Sequence, residues 1–223
     1  MLKERTASAA TLGIYAEVNG KLDKLINQAD HEAFDLAMAC VLANGRSGDA
    51  VAMFIVAPSS TAKTEIIQAM TGVSWAHLQS QLTPKTFASG LRKSGFGKDP
   101  SLLTKFSDQG ITCLINKEFT TVLNISPSDR DEILSQMREI MDGRFIKDFG
   151  NGAHVDWEGK LGMLVGVTPI IDRYWAAQTN MGDRWVWVRQ HSATTVEERM
   201  ETALAALQTD DDAAELRKGL KTL

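Results

Sequence analysis

The sequence predicts an α/β domain with a doubly wound, mainly parallel sheet, and three observations predict it. Short, continuous apolar runs at 51–56, 111–116 and 161–167 have the length and make-up of strands buried on both faces. Segments with apolar residues at helical spacing alternate with them, as expected for parallel strands joined by crossover helices. Two short alternating runs flank Gly150-Asn151-Gly152 and predict an inserted β-hairpin.

Residues 1–50 read as a helical lead-in that packs on the core. Leu22, Leu25 and Ile26 share one face, and a second helix is expected from about Asp30 to Leu42, with Ala33, Phe34, Ala37, Met38 and Val41 at helical spacing. Asn44 to Asp49 is a turn cluster. The core, 51–190, opens with the strand Val51–Val56, a loop of small residues, and a helix starting at Lys63. Val73–Leu78 is a candidate strand, followed by Ser80–Thr86 and a loop rich in Gly and Lys near 90–99. Ile111–Asn116 is the next strand. A helix is expected over Ser128–Met141, with Ile133, Met137 and Ile140 on one face and Ser126 or Ser128 near its cap. The hairpin of 144–159 comes next, then the strand Leu161–Val167, a helix from Ile171 to Asn180 and a last strand, Arg184–Arg189. The C-terminal segment, 191–223, is expected to be helical, with one helix over Val196–Leu207 and another after Asp210-Asp211-Asp212.

A chain of 223 residues, 43% hydrophobic and 23% charged, can build one sizeable core plus a small helical attachment. No apolar run approaches the roughly 18–20 residues that span a bilayer. Met1 to Arg5 is too polar for the apolar part of a signal peptide, so a cytoplasmic chain without a membrane partner is expected. The net charge of −4 argues against a uniformly basic nucleic-acid surface and leaves a local basic patch open. Cys40 and Cys113 lie in apolar stretches without CxxC partners and read as buried, reduced thiols. His31, His77, His154 and His191 are scattered without metal-ligand spacing, so no structural zinc site is expected.

The loop after the first strand compares with the phosphate-loop pattern G-x-x-x-x-G-K-[ST]. The eight residues are Ala57, Pro58, Ser59, Ser60, Thr61, Ala62, Lys63 and Thr64, so the last two match and alanine replaces both glycines. Backbone N–H groups in such a loop wrap an anionic phosphate at a helix start. Lys63 would reach the β- and γ-phosphates of ATP, and the Thr64 hydroxyl would ligate Mg²⁺. A left-handed conformation at Ala62 would cost about 1 kcal/mol or more. The site also needs an acidic group at a neighbouring strand end, to hold the metal or its water and polarise the attacking water. Glu118, just past the Ile111–Asn116 strand, is the candidate, with Glu139 and Asp142 as secondary ones.

This order of parts resembles the AAA+ division of P-loop ATPases. The hairpin before the strand that ends at Thr168 looks like the one in replicative helicases of phages, plasmids and small viruses. More closely, six stretches are similar to phage- and prophage-encoded helicase-like ATPases: 57–65, Leu82-Thr83-Pro84-Lys85-Thr86, 117–123, 137–143, Gly166-Val167-Thr168-Pro169 and Met181-Gly182-Asp183-Arg184-Trp185. The resemblance spans roughly residues 35–190. It implies a P-loop NTPase-type sheet and ATP with Mg²⁺ as cofactors, held by Lys63, Thr64 and Glu118. It further implies Thr168 in the first sensor position and Arg184 as an arginine finger inserted into the next subunit of a homo-oligomeric ring or filament, with Arg189 a weaker alternative.

Two functional classes follow. One is an ATP-hydrolysing motor acting on nucleic acid. The other is a degenerate P-loop module that binds nucleotide or protein partners without turnover, which the two alanines favour. The hairpin of 144–159 is a candidate DNA contact through Lys147, His154, Arg144 and Lys160, against Asp148, Asp156 and Glu158, which nearly cancel that charge. The opposing reading has it pack on a neighbouring subunit. Trp157, Trp175, Trp185 and Trp187 are read first as packing residues, with base stacking as the other use.

Overall fold

The computed structural model describes residues 31–59, 63–90, 101–174, 179 and 182–190. In chain order the elements are α1 (His31–Asn44), β1 (Ala52–Val56), α2 (Lys63–Ala69), β2 (Ala76–Leu78), α3 (Leu102–Gln109), β3 (Cys113–Asn116), α4 (Thr120–Leu123), α5 (Pro127–Met141), β4 (Arg144–Asp148), β5 (His154–Glu158), β6 (Gly162–Val167) and β7 (Trp185–Arg189). Five strands form one sheet in the order β2–β3–β6–β1–β7, every neighbouring pair parallel. β4 and β5 pair separately, antiparallel, as the expected hairpin.

Helices cover both faces, and the period-2 alternation of the strands sorts the core accordingly. Phe54, Val56, Leu114, Met163, Val165 and Trp185 pack on one face with Leu103 and Phe106 of α3, Val122 of α4, and Ile133, Met137 and Ile140 of α5. Met53, Ile55, Cys113, Ile115, Leu164 and Val188 pack on the other with Phe34, Ala37 and Val41 of α1 and Ile66 and Ile67 of α2. Phe54 anchors the first face, stacked on Trp187 with ring centroids 4.6 Å apart and edge-on to Phe119 at 5.2 Å.

The two faces create a switch point. β1 leaves through α2 on one face, whereas the chain leaving β6 begins on the other, with Ile171 in the Phe54 cluster. β1 and β6 are neighbours, so their connections diverge beyond their carboxyl ends, the topology that defines a binding crevice in open α/β sheets.

Several boundaries differ from the sequence expectation. The strand expected over Val73–Leu78 is confined to Ala76–Leu78, because a 3₁₀ turn, Met70–Gly72, extends α2. The start of the helix expected over Ile171–Asn180 is a 3₁₀ turn, Pro169–Arg173: Pro169 starts it early, and Tyr174 at φ −105°, ψ 50° leaves helical geometry; most of the rest lies outside the described residues. Helix α3 was not expected. Ser126 rather than Ser128 caps α5, its Oγ accepting from the Asp129 N–H at 3.2 Å, with Pro127 in the first turn. The expected helix around Leu22–Ile26 and the C-terminal helices lie outside the described residues, as does most of the 90–99 loop. Among the described residues no helix is long and apolar enough to cross a membrane.

A buried amide pins α1 to the sheet. Asn44 Nδ2 donates to the carbonyls of Cys40 at 3.0 Å and Val51 at 2.9 Å, and Asn44 Oδ1 accepts from the Val51 N–H at 2.9 Å. The amide occupies the space above Gly162, where a Cβ would come within 2.1 Å of its oxygen. Cys40 and Cys113 lie beside it as free, buried thiols, and burial pushes the Cys40 thiol up to about 12. Asn44→Ala leaves the Val51 N–H without its acceptor, while the Val51 carbonyl keeps the Met163 N–H at 3.1 Å, and Gly162→Ala forces a clash, so each should cost about 2 kcal/mol or more in urea unfolding. The double variant should cost less than the sum, since removing the amide makes room for the methyl group. Strict additivity would show that the two positions do not meet.

Candidate functional site

The phosphate-loop residues grow directly out of the sheet. Ala57 is fully buried, and its N–H donates to the Val167 carbonyl at 3.1 Å, carrying the β1–β6 ladder one step past β1. Turn geometry begins only at Ser59. The backbone is therefore still in the ladder at the first glycine position of the pattern, and alanine fits there. Ser60, Thr61 and Ala62 lie outside the described residues. Lys63 opens α2 and is only 4% exposed, with its Nζ 3.4 Å from the Ala57 carbonyl it donates to. Thr64 is exposed beside it. Burial pulls the Lys63 ammonium below its ordinary range, and the negative charge of Glu118 partly offsets this.

Glu118 is held by its backbone from both sides. Its N–H donates to Asn116 Oδ1 at 3.2 Å, and its carbonyl accepts the Thr121 hydroxyl at 2.9 Å. Asn116 is fully buried and donates on to the Gln79 carbonyl at 2.7 Å, tying this turn to the end of β2. The carboxylate is left over: Glu118 Oε1 is buried without a hydrogen-bond partner. A buried carboxylate oxygen with no donor of its own is costly unless something else fills its lone pairs.

Across the neighbouring strand end, Thr168 is tied to Thr120, a residue the sequence reading did not single out. The two hydroxyl oxygens are 3.1 Å apart, and the Thr168 N–H donates to Thr120 Oγ1 at 3.3 Å. A third contact, from the Phe119 N–H to the Gly166 carbonyl at 2.8 Å, draws the β3 end onto β6. Gly166 has to be glycine for this. A Cβ there would lie 2.5 Å from Ile67 Cδ1 of α2 and 2.8 Å from the Lys117 carbonyl oxygen.

Thus Lys63, Glu118 and Thr168 all sit at the carboxyl edge of the sheet, at the crevice, and the electrostatic coupling of Lys63 to Glu118 sets the first two near each other. Arg184 does not join them. It precedes β7, at the opposite, amino edge, and makes a two-pronged ion pair with Asp142 at 2.7 and 3.2 Å. Asp142 is thereby also remote from Lys63, and Glu139 accepts from Ser135 within α5 at 3.4 Å. Arg189, by contrast, ends β7 opposite Val56, on the site's side, where it pairs with both oxygens of Asp172 at 2.7 and 3.0 Å.

The hairpin lies against its own chain. Phe145, Val155 and Trp157 are buried in the Phe54 core, and Trp157 Nε1 donates to Ser107 Oγ at 3.0 Å. Lys147 pairs with Glu132 of α5 at 2.6 Å, Arg144 with Asp156 at 3.5 Å and His154 with Asp148 at 2.7 Å. Lys160 donates to the carbonyls of Ala43 and Arg46 at 2.9 and 2.8 Å, and Asn151 at the tip donates to the Gly90 carbonyl. Trp185 is buried and Trp187 stacks on Phe54, so these indoles pack the core; Trp175 lies outside the described residues.

No family model matches this chain, and no curated protein matches it.

A phosphate, if one binds beside Lys63, would favour its ammonium form and so restore the pKa that burial depresses. Mg-ATP binding should then take up protons as the pH rises through the free-chain pKa, and affinity should fall there, below pH 10.5. Lys63→Met fills the same space without charge and should weaken binding about tenfold or more. Calorimetry across pH checks both, and unchanged affinity in Lys63→Met would remove the lysine from the site.

Proposed function

We propose that this chain is an ATP-binding, ATP-hydrolysing domain of AAA+-like, P-loop type. The observation that carries this reading is the placing, at the carboxyl edge where the strand connections diverge, of a buried lysine and a carboxylate oxygen that is buried without a partner, with the lysine feeling the carboxylate's charge. The lysine suits the charge of a polyphosphate. The carboxylate suits a divalent metal, a water, or both. Mg²⁺ fits this donor set: Thr64 and Glu118 are hard oxygen ligands, and the ion completes its shell with waters and phosphate oxygens rather than a protein cage. Thr64 and Glu118 would hold the ion, which would supply charge neutralisation for the phosphate oxygens. Lys63 would hold the β- and γ-phosphates. Glu118 would orient the attacking water and receive its proton as the bond to the leaving ADP breaks.

The rival reading, a module that binds without turnover, loses one of its two supports. Ala57 is part of the ladder, so only Ala62 departs from the pattern where a turn is needed. Glu118→Gln separates the two readings. It keeps shape and loses the charge that polarises water, so Mg-ATP affinity should hold while phosphate release slows about 100-fold or more. Equal turnover in the variant would move the acidic role elsewhere. A wild-type chain that binds Mg-ATP without releasing phosphate would favour the module.

Assembly into a homo-oligomeric ring or filament is part of the proposal. Arg184 is separated from the crevice by the length of β7, roughly 15 Å, so it can serve a γ-phosphate only in another subunit. Mixing Arg184→Ala with Lys63→Ala subunits should then restore some activity, and no recovery at any ratio would exclude a shared site. Nucleic acid as the object acted on rests on the resemblance alone. The hairpin cations are each engaged within the chain, so contact with DNA there would have to break those pairs.

A further inference from the structure

We propose that Thr120 is a positioning residue that sets the Thr168 hydroxyl for the attacking water, an inference that rests on the ATPase reading above. Thr120 Oγ1 accepts the Thr168 N–H at 3.3 Å and lies 3.1 Å from Thr168 Oγ1. One setting of the two hydroxyl rotors makes both contacts: Thr120 accepts from the Thr168 backbone and donates its own proton to Thr168 Oγ1. The Thr168 proton is then free for a third group. Both residues are half-buried at the carboxyl edge of the sheet, so that group lies in the crevice.

Thr120 also links the two candidate catalytic groups mechanically. It follows Glu118 by two residues, in a turn whose backbone is fixed by Asn116, Thr121 and Gly166. Any shift of Thr168 is therefore felt at the turn that carries Glu118. A water addressed by both groups has its oxygen aligned by the Thr168 hydroxyl and its proton directed to the Glu118 carboxylate. In the reaction the water oxygen bonds to the γ-phosphorus, the bond from that phosphorus to the bridging oxygen of ADP breaks, and the water proton goes to Glu118. Holding such a water within a fraction of an ångström is worth large factors in rate. It adds little to ground-state affinity, because Thr120 itself touches no phosphate.

The test uses the full chain with Mg-ATP and measures affinity by calorimetry and turnover by phosphate release. Thr120→Val keeps the shape and removes the hydroxyl. It should bind Mg-ATP within about twofold of wild type and lose about tenfold or more in kcat, with KM little changed. Thr120→Ser restores the oxygen and should recover most of that loss, a rescue that a purely packing role would not give. Thr168→Val should lose at least as much, and the double variant no more than Thr168→Val alone, since Thr120 acts only through Thr168. Wild-type kcat in Thr120→Val, failure of the serine to rescue, or losses that multiply in the double variant would each overturn the proposal while leaving the ATPase reading intact. A wild-type chain that does not bind Mg-ATP would overturn that reading and this inference with it. Binding without turnover would overturn the hydrolytic half of that reading together with this inference and leave the nucleotide site standing.

Discussion

A methyl group at Gly166 would lie 2.5 Å from Ile67 of α2 and 2.8 Å from the Lys117 carbonyl, so the segments that carry Lys63 and Glu118 approach each other only across bare backbone. The rest of the carboxyl edge depends on that approach. It lets the Phe119 N–H reach the Gly166 carbonyl, which seats the turn holding Glu118. It also brings that turn within hydrogen-bond reach of Thr168, two residues along β6. Gly162 does the same at the opposite edge, leaving room for the Asn44 amide that fixes α1. β6 is thus bounded by two positions without side chains. One closes the packing of the helix beneath it, and the other builds the site above it.

The crossovers explain why the site lies at this edge. β1 and β6 send their chains to opposite faces, which leaves the carboxyl edge between them as the place where an open α/β sheet would receive a ligand. A buried lysine there is disfavoured as an isolated charge, and Glu118 relieves that only in part. Under the proposed function a polyphosphate would complete the balance, which a neutral ligand would not.

Much of the fold was legible in the sequence. β1, β3 and β6 are apolar on both faces, so they stand out as continuous runs, and Gly150-Asn151-Gly152 announces the hairpin. Helix α3 was not legible: it is short, only Leu103 and Phe106 are buried, and it follows a stretch rich in Gly and Lys. β2 contributes three half-exposed residues and has no clear period. Of the candidate site, the placement of Lys63 and Glu118 just after β1 and β3 was legible from the apolar runs before them, whereas Thr168 came from the family resemblance. Thr120 was not, because its importance is a contact with a residue 48 positions away in sequence. The hairpin's charge was half legible. Counting acids within it gave near-neutrality, but the partner of Lys147 is Glu132, on α5, which no local count includes.

The two arginines of the last strand show how register can decide between residues that look alike in sequence. Arg184 and Arg189 bracket the same five-residue strand, and each is tied to a carboxylate by two hydrogen bonds. Composition and spacing do not distinguish them. The parallel pairing of β7 with β1 does, because it sets Trp185 opposite Ala52 and Arg189 opposite Val56. One guanidinium is thereby assigned to the amino edge and the other to the edge where the phosphate loop begins. Of these two, Arg189 is the one placed to act within its own subunit, where it would have to exchange Asp172 for a phosphate, and Arg184 is the one placed at the far edge, where it would have to act on a neighbour. Both pairs are half-exposed, so water already competes for them, and exchanging the carboxylate for a phosphate costs less than breaking a buried pair.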